Sequence, residues 1–313
     1  MTPGGVLVVG DANVDLVLAG DVVPRFGQAE QLLDRADLVL GGSASIVAAG
    51  LARLGVDTWL CAVVGDDEFG GVVRSALTGA GVNLDAVRVD ASAPTGISVH
   101  LSSDSDRAIL TLTGSIPLLR AADVRAAVEM LDPRHVHFAS FFLLPELAAE
   151  LPALLGWLRE RSITTSLDTN WDPAGRWLGL GSVIPLVDTL LPNREELVRI
   201  ADALGIGFET DEDAAGDLAR LGPRVVVKAG SDGGWSAAGD GQVLRAPGLL
   251  LDVVDTTGAG DSFDAGYLAA GIHGADEAER LRWATVAGSL STRGSGGTAG
   301  QPTLPELRGR LDG

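Results

Sequence analysis

Short runs of apolar, β-branched residues alternate with longer stretches of helical spacing along most of the chain, the pattern of a parallel sheet covered by helices. Val6, Leu7, Val8 and Val9 predict a first buried strand that ends at Gly10. Ile46, Val47, Gly50, Leu51 and Leu54 recur at helical spacing and predict a helix over 44–54, stopped by Gly55. A strand over 58–64 and a helix over 69–77 repeat the unit. Further strands are predicted over 136–139, 163–167, 189–191 and 225–227, with helices over 121–131, 145–161, 194–204 and 212–221 between them. The last unit reads as a strand over 249–254, a Gly-rich turn, and a helix over 261–272.

Two regions break the alternation. Strand-like runs over 14–19 and 36–40 have no helix between them, and those over 96–101 and 108–113 flank a polar turn at 102–106, a hairpin signal. The expected organisation is therefore an α/β core of residues 1–13, 41–94 and 114–313. A small β-sheet of residues 14–40 and 95–113 is attached to it as a lid or a homodimer contact. No internal repeat or low-complexity stretch interrupts the 313 residues.

Composition narrows the chemistry. Against 23 Lys plus Arg stand 42 Asp plus Glu, a formal charge of −19, which argues against a nucleic-acid partner. No apolar run approaches the ~20 residues that span a bilayer, and the N-terminus lacks a basic stretch followed by an apolar core. Cys61 is the only cysteine, which excludes an internal disulfide and multi-cysteine zinc sites and fits a reducing, cytoplasmic setting. Lys228, the sole lysine, is followed by Ala229, so no Walker A loop exists. HRD, DFG, GxSxG and HExxH are all absent. Of the four histidines (His100, His135, His137, His273), His135 and His137 would share one strand face without a third ligand nearby in sequence.

The most informative stretch is Asp255-Thr256-Thr257-Gly258-Ala259-Gly260-Asp261. The first turn of a helix leaves amides unpaired and carries a partial positive charge. Small residues at Gly258, Ala259 and Gly260 let an anion approach those amides. A carboxylate at Asp261 does not bind phosphate, but it can accept the proton of an attacking hydroxyl. Alone, the turn reads first as Asp261 capping its helix, the usual role of an Asp at a helix start. It is not a dinucleotide fingerprint, since Phe263 stands where GxGxxG requires its last glycine.

Extended to Ser262 and Phe263, this stretch resembles the C-terminal signature of the ribokinase-like carbohydrate kinases, the PfkB family. Other pieces follow in that family's order: Gly10-Asp11-Ala12-Asn13-Val14-Asp15, Gly41-Gly42-Ser43-Ala44, Val64-Gly65-Asp66-Asp67 with Gly70, Asn193-Arg194-Glu195-Glu196, and Val227-Lys228-Ala229-Gly230 with Gly233. The match runs from about residue 6 to 300. It implies a three-layer α/β/α fold with a mostly parallel central sheet and a small β lid. It also implies an ATP- and Mg2+-dependent kinase acting on a hydroxymethyl group of a sugar or related polyol.

Carried over residue by residue, the resemblance makes Asp261 the catalytic base and Gly258, Ala259 and Gly260 the anion hole. Asn193 and Glu196 would hold Mg2+ through water, although the same pair reads as a capping box. Lys228, Gly230 and Gly233 fall on the nucleotide side, with Lys228 read as a strand end and the glycines as backbone approaching ATP. Asp255 and Thr257 match positions that support K+ in some members. Asn13, Asp15, Gly41 and Gly42 match the acceptor site, and Asp168 and Asn170 are further candidates at a strand end. Arg176, Trp171 and Trp177 follow on a loop, and Thr95, Gly96 and Gly114 resemble lid positions.

Two departures bear on the acceptor. Ile46 stands where many of these sugar kinases carry an Asn that contacts the sugar, and Ser43 where members acting on sugar phosphates carry Lys. A phosphorylated acceptor would then have to meet arginines. A nucleoside kinase on the same fold, with Phe141 and Phe142 stacking on the base, is one alternative. A non-catalytic sugar-binding protein is another.

Overall fold

The structure, a computed structural model, describes residues 4–28, 30–102 and 107–311. The chain begins with β1 (Val6–Val9), β2 (Asn13–Gly20) and β3 (Leu33–Gly41), then α1 (Ser43–Arg53), β4 (Thr58–Gly65) and α2 (Glu68–Ala80). There follow β5 (Val87–Asp90), β6 (Gly96–Ser102), β7 (Arg107–Leu112), α3 (Ala121–Leu131), β8 (His135–Phe138), α4 (Pro145–Glu160) and β9 (Thr164–Leu167). The C-terminal half adds β10 (Thr189–Leu190), α5 (Arg194–Ala203), α6 (Asp211–Ala219), β11 (Arg224–Lys228), β12 (Gly234–Ala237) and β13 (Val243–Ala246). It ends in α7 (Ala259–Ile272), α8 (Glu277–Ser291) and α9 (Leu304–Leu311).

Nine strands form the large sheet in the order β13-β12-β11-β10-β9-β8-β1-β4-β5. It is parallel from β11 to β5, and the β12–β13 hairpin adds an antiparallel edge. Period-two alternation splits its side chains between two cores. Leu7, Val9, Cys61 and Val63 pack with α3 to α6 on one face, and Val6, Val8, Leu60 and Ala62 pack with α1, α2, α7, α8 and α9 on the other. The result is the expected three-layer α/β/α body. A separate four-stranded sheet, β3-β2-β6-β7, gathers the two helix-free excursions; β2 and β6 run parallel and both outer pairs antiparallel. Residues 103–106 of the polar turn between β6 and β7 lie outside the described residues.

The predicted strand over 249–254 is a correction. The segment is coil, because the β12–β13 hairpin already ends the sheet and Pro247 has no amide to extend the ladder beyond Ala246. Leu249 and Leu251 pack inward while Leu250 is 95% exposed, and the amides of Val254 and Asp255 donate to the Thr292 carbonyl at the end of α8. The Gly258–Ala259–Gly260 turn is thus reached from a loop strapped over α8. β5, β12, β13, α8 and α9 lie outside the elements predicted from the sequence. Among the described residues no helix is long and apolar enough to cross a membrane.

Candidate active site

The loops at the C-terminal ends of the parallel strands carry several of the predicted residues, Asp168 and Asn170 after β9, Asn193 after β10 and Lys228 closing β11, together with Asp11 after β1. This is the edge where ligands bind in open α/β sheets. Asp11 builds the first part of the site. Its two carboxylate oxygens accept from the amides of Ser43 (3.1 Å) and Ala44 (3.0 Å), capping α1 from a distance and fixing where its first turn lies.

α7 brings the second part. Its N-cap is Gly258, in the left-handed region at φ 69°, and no side chain caps the helix. An ideal Cβ at Gly258 would lie 2.7 Å from both Cα and O of Gly297, so only glycine fits this turn. Asp261 sits at the third helical position, yet its carboxylate accepts from the Ser43 hydroxyl rather than from an amide of its own helix. The capping role that the sequence left open is therefore not the one adopted. The Ser43 hydroxyl in turn accepts from Asn170 Nδ2 at 3.0 Å, and Asn170 is itself held by Asp168 and by the Ser140 amide. Burial, followed by the charges of Asp168 and Asp11, raises the Asp261 carboxyl to about 7 against the pull of Ser43 and Lys228.

Beneath α7 lies a buried charge cluster. Lys228 Nζ donates to Asp168 at 2.6 Å and to Asp264 at 3.2 Å. The two carboxylates raise the lysine; the lysine's charge holds Asp168 below its usual value, while desolvation pushes Asp264 well above. An ideal Cβ on Gly260 would lie 3.8 Å from Nζ, so the ammonium stands beside the Gly258–Ala259–Gly260 turn. Asn193 and Glu196 form a reciprocal capping box at the start of α5, with Asn193 Oδ1 accepting from the Glu196 amide (2.9 Å) and Glu196 accepting from the Asn193 amide (2.8 Å). Burial first, then the charge of Asp168, lifts Glu196 to about 7. Gly230 and Gly233 bracket a tight turn after β11, both at positive φ, beside a surface hollow lined by Arg194, Asp232, Trp235, Arg245 and Pro247.

The predicted acceptor residues meet on the small sheet. Asn13 Nδ2 donates to Asp15 (2.9 Å), and an ideal Cβ on Gly41 would fall 2.1 Å from the Asp15 carboxylate, so glycine there admits the contact. Gly42 lies equally close to Asn13 and to the Asp11 carbonyl. Ile46 is buried under Gly297, where an ideal Cβ would lie 2.4 Å from its Cδ1. Asp255 is engaged by the Thr257 amide and hydroxyl and by the Gly296 amide. Thr95 ties the start of β6 to the Asp67 carboxylate. Phe141, Phe142, Trp177 and Trp171 form an edge-to-face chain at centroid distances of 5.1, 5.2 and 5.3 Å, so these aromatics pack on one another. The Arg176 amide donates to Asp172. His135 and His137 share the Ser166 hydroxyl inside the sheet, and no three His, Cys, Asp or Glu among the described residues assemble a metal site.

Sequence reasoning missed Ser43, Asp11 and Asp264 as partners of the site. Asp11 and Ser43 stood inside recognised motifs. Asp264, three residues after Asp261 and so one helical turn along, carried the period that could have revealed it.

A helix start that no side chain caps, a raised carboxyl in its first turn and a polar face on the small sheet come together here, and comparison with known proteins gives the class of the protein. The sequence profile of the pfkB family carbohydrate kinases matches residues 4–304, and the chain belongs to that family. It is a sugar or nucleoside kinase of the PfkB type. An ATP-dependent ribose-1-phosphate kinase of Halopiger xanaduensis is 34% identical over 95% of both chains. The structure of Arabidopsis thaliana ribokinase with ribose and ATP superposes with a TM-score of 0.85 at 25% identity, covering 99% of each chain. A ribokinase II from E. coli in complex with ATP and Mg2+ gives a TM-score of 0.85 at 21% identity, again over 99% of each chain.

Proposed function

We propose that the protein transfers the γ-phosphoryl group of ATP to a hydroxymethyl group of a sugar or related polyol, with Asp261 as the base. The observation that supports this reading is the Asn170–Ser43–Asp261 chain, which holds a raised carboxyl in the first turn of α7, directly after Gly258–Ala259–Gly260. An acceptor held on Asn13, Asp15 and the Gly41–Gly42 backbone would present its hydroxyl to Asp261, which takes the proton as the oxygen attacks phosphorus in line. The amides opening α7, with the Lys228 ammonium behind them, would stabilise charge on the equatorial oxygens.

Mg2+ fits here through water and the nucleotide's phosphates, because the capping box already engages an oxygen of Asn193 and of Glu196. The ion neutralises phosphate charge when bound. ATP would lie along Gly230 and Gly233. The K+ role of Asp255 and Thr257 and a cytoplasmic location belong to the same reading. The small sheet would close over the acceptor and exclude water. Its outer face carries Leu16, Leu38, Val99 and Leu110 in register, with Leu110 61% exposed, and would join two copies.

The test is ADP release with MgATP over a panel of aldoses, ketoses, ribose 1-phosphate and nucleosides, with K+ and Na+ compared. Acceptor-dependent turnover on a sugar supports the reading; turnover on nucleosides alone replaces it with the nucleoside alternative.

A further inference from the structure

The inner face of the small sheet is a continuous polar chain. Strand register places Asn13, Asp15 and Val17 of β2 beside Gly96, Ser98 and His100 of β6 respectively, and Ser98 beside Thr111 of β7. Thr111 and Ser98 share a hydrogen bond of 3.0 Å, Asn13 Nδ2 reaches Ser98 at 3.4 Å and Asp15 at 2.9 Å, and Asp15 Oδ2 lies 3.4 Å from His100 Nε2. His100 is 7% exposed, and its Nδ1 has no hydrogen-bond partner among the described residues.

That unmatched nitrogen is the informative atom. A carboxylate oxygen facing Nε2 favours the proton on Nε2, which leaves Nδ1 as a lone-pair acceptor. A buried acceptor without a donor is destabilising, because it has given up its water without replacement. A β6 position on the inner face can be filled by an aliphatic side chain at no such cost, as Val17 does on the neighbouring strand. A hydroxyl brought by the acceptor would satisfy Nδ1 while Asp15, oriented by Asn13, takes the neighbouring hydroxyl.

We infer that His100 is a specificity-determining residue whose Nδ1 accepts a hydrogen bond from a hydroxyl of the polyhydroxylated acceptor. The inference rests on the kinase reading above. It assigns recognition to the strand that supplies the lid, in place of the amide missing at Ile46.

Two variants separate recognition from support. The terminal nitrogen of Gln can reach the position of His Nε2 and keep the Asp15 contact, while the short Asn side chain sets its polar end where Nδ1 stands. His100→Gln is therefore expected to keep the wild-type melting temperature and the KM for ATP but to raise the acceptor KM at least tenfold. His100→Asn is expected to recover much of that loss. Deoxy acceptors provide the second readout. One analogue, lacking the hydroxyl that His100 reads, should lose at least tenfold in kcat/KM with the wild type and almost nothing further with His100→Gln. An unchanged acceptor KM in His100→Gln, or losses equal for every deoxy analogue, would overturn the inference while leaving the kinase reading intact. A wild-type protein that phosphorylates no sugar in the panel would overturn both.

Discussion

Asp261 stands where an acidic side chain ordinarily serves its own helix, yet it accepts from the Ser43 hydroxyl, and no side chain caps α7. The physical consequence is a carboxyl whose proton leaves near neutrality, at about 7, because burial and the charges of Asp168 and Asp11 oppose ionisation. A base works only when ionised, so turnover is expected to fall as pH drops below about 7 and to level off above it. Asp261→Asn should remove that limb and cost about 10²-fold or more in kcat, measured by steady-state kinetics across pH. Stability moves the other way. A carboxyl raised from 3.8 to about 7 binds its proton more tightly in the folded chain, so its contribution is present below pH 4 and is lost as pH rises towards 7. Asp261→Asn should flatten that slope in urea titrations. Two glycines divide the turn's duties. An ideal Cβ on Gly260 would meet only ordinary contact, with Lys228 Cδ at 3.5 Å, so Gly260→Ala should fold normally, read by thermal melting, while its methyl crowds the anion and lowers turnover. Gly258→Ala would be forced into the left-handed region against Gly297 and should lose about 1–2 kcal/mol from the backbone alone, read by thermal melting.

At the level of elements, the site is a junction of β9, β11 and α7 held by a single ammonium. Lys228→Met would leave Asp168 and Asp264 buried without a counter-charge, and unfolding in urea should show a loss of about 3–5 kcal/mol. The sequence made β1, β4 and the helices between strands legible because two-sided strands and one-sided helices repeat with different periods. It misread 249–254 because an apolar run looks alike whether it pairs in a sheet or straps across α8; only the location of the sheet edge decides. α8 escaped notice because it is buried nearly all round, from Leu281 to Ser291, which erases the helical stripe. Asn193 and Glu196 were readable as a capping box, and the box is present. Motif residues were legible one by one, whereas the Asn170–Ser43–Asp261 chain joins segments 127 and 218 residues apart and has no local signature.

For the whole molecule, a net charge of −19 surrounds a site that, in the proposed reaction, would receive a polyanionic nucleotide. The amides of α7, the ammonium of Lys228 and the cation accompanying ATP would then supply the positive charge locally, where a desolvated environment makes each count for more. The parallel sheet places these groups on one edge and the small sheet carries Asn13 and Asp15, so the proposed reaction would bring two substrates of unlike chemistry together over Asp261. The most direct measurement is a crystal structure with a non-hydrolysable ATP analogue and a sugar acceptor. The account predicts the terminal phosphorus against the amides of Gly258, Ala259 and Gly260, with a sugar hydroxyl within hydrogen-bond distance of Asp261. A terminal phosphorus bound away from that turn, or an acceptor whose hydroxyls all point away from Asp261, would contradict it.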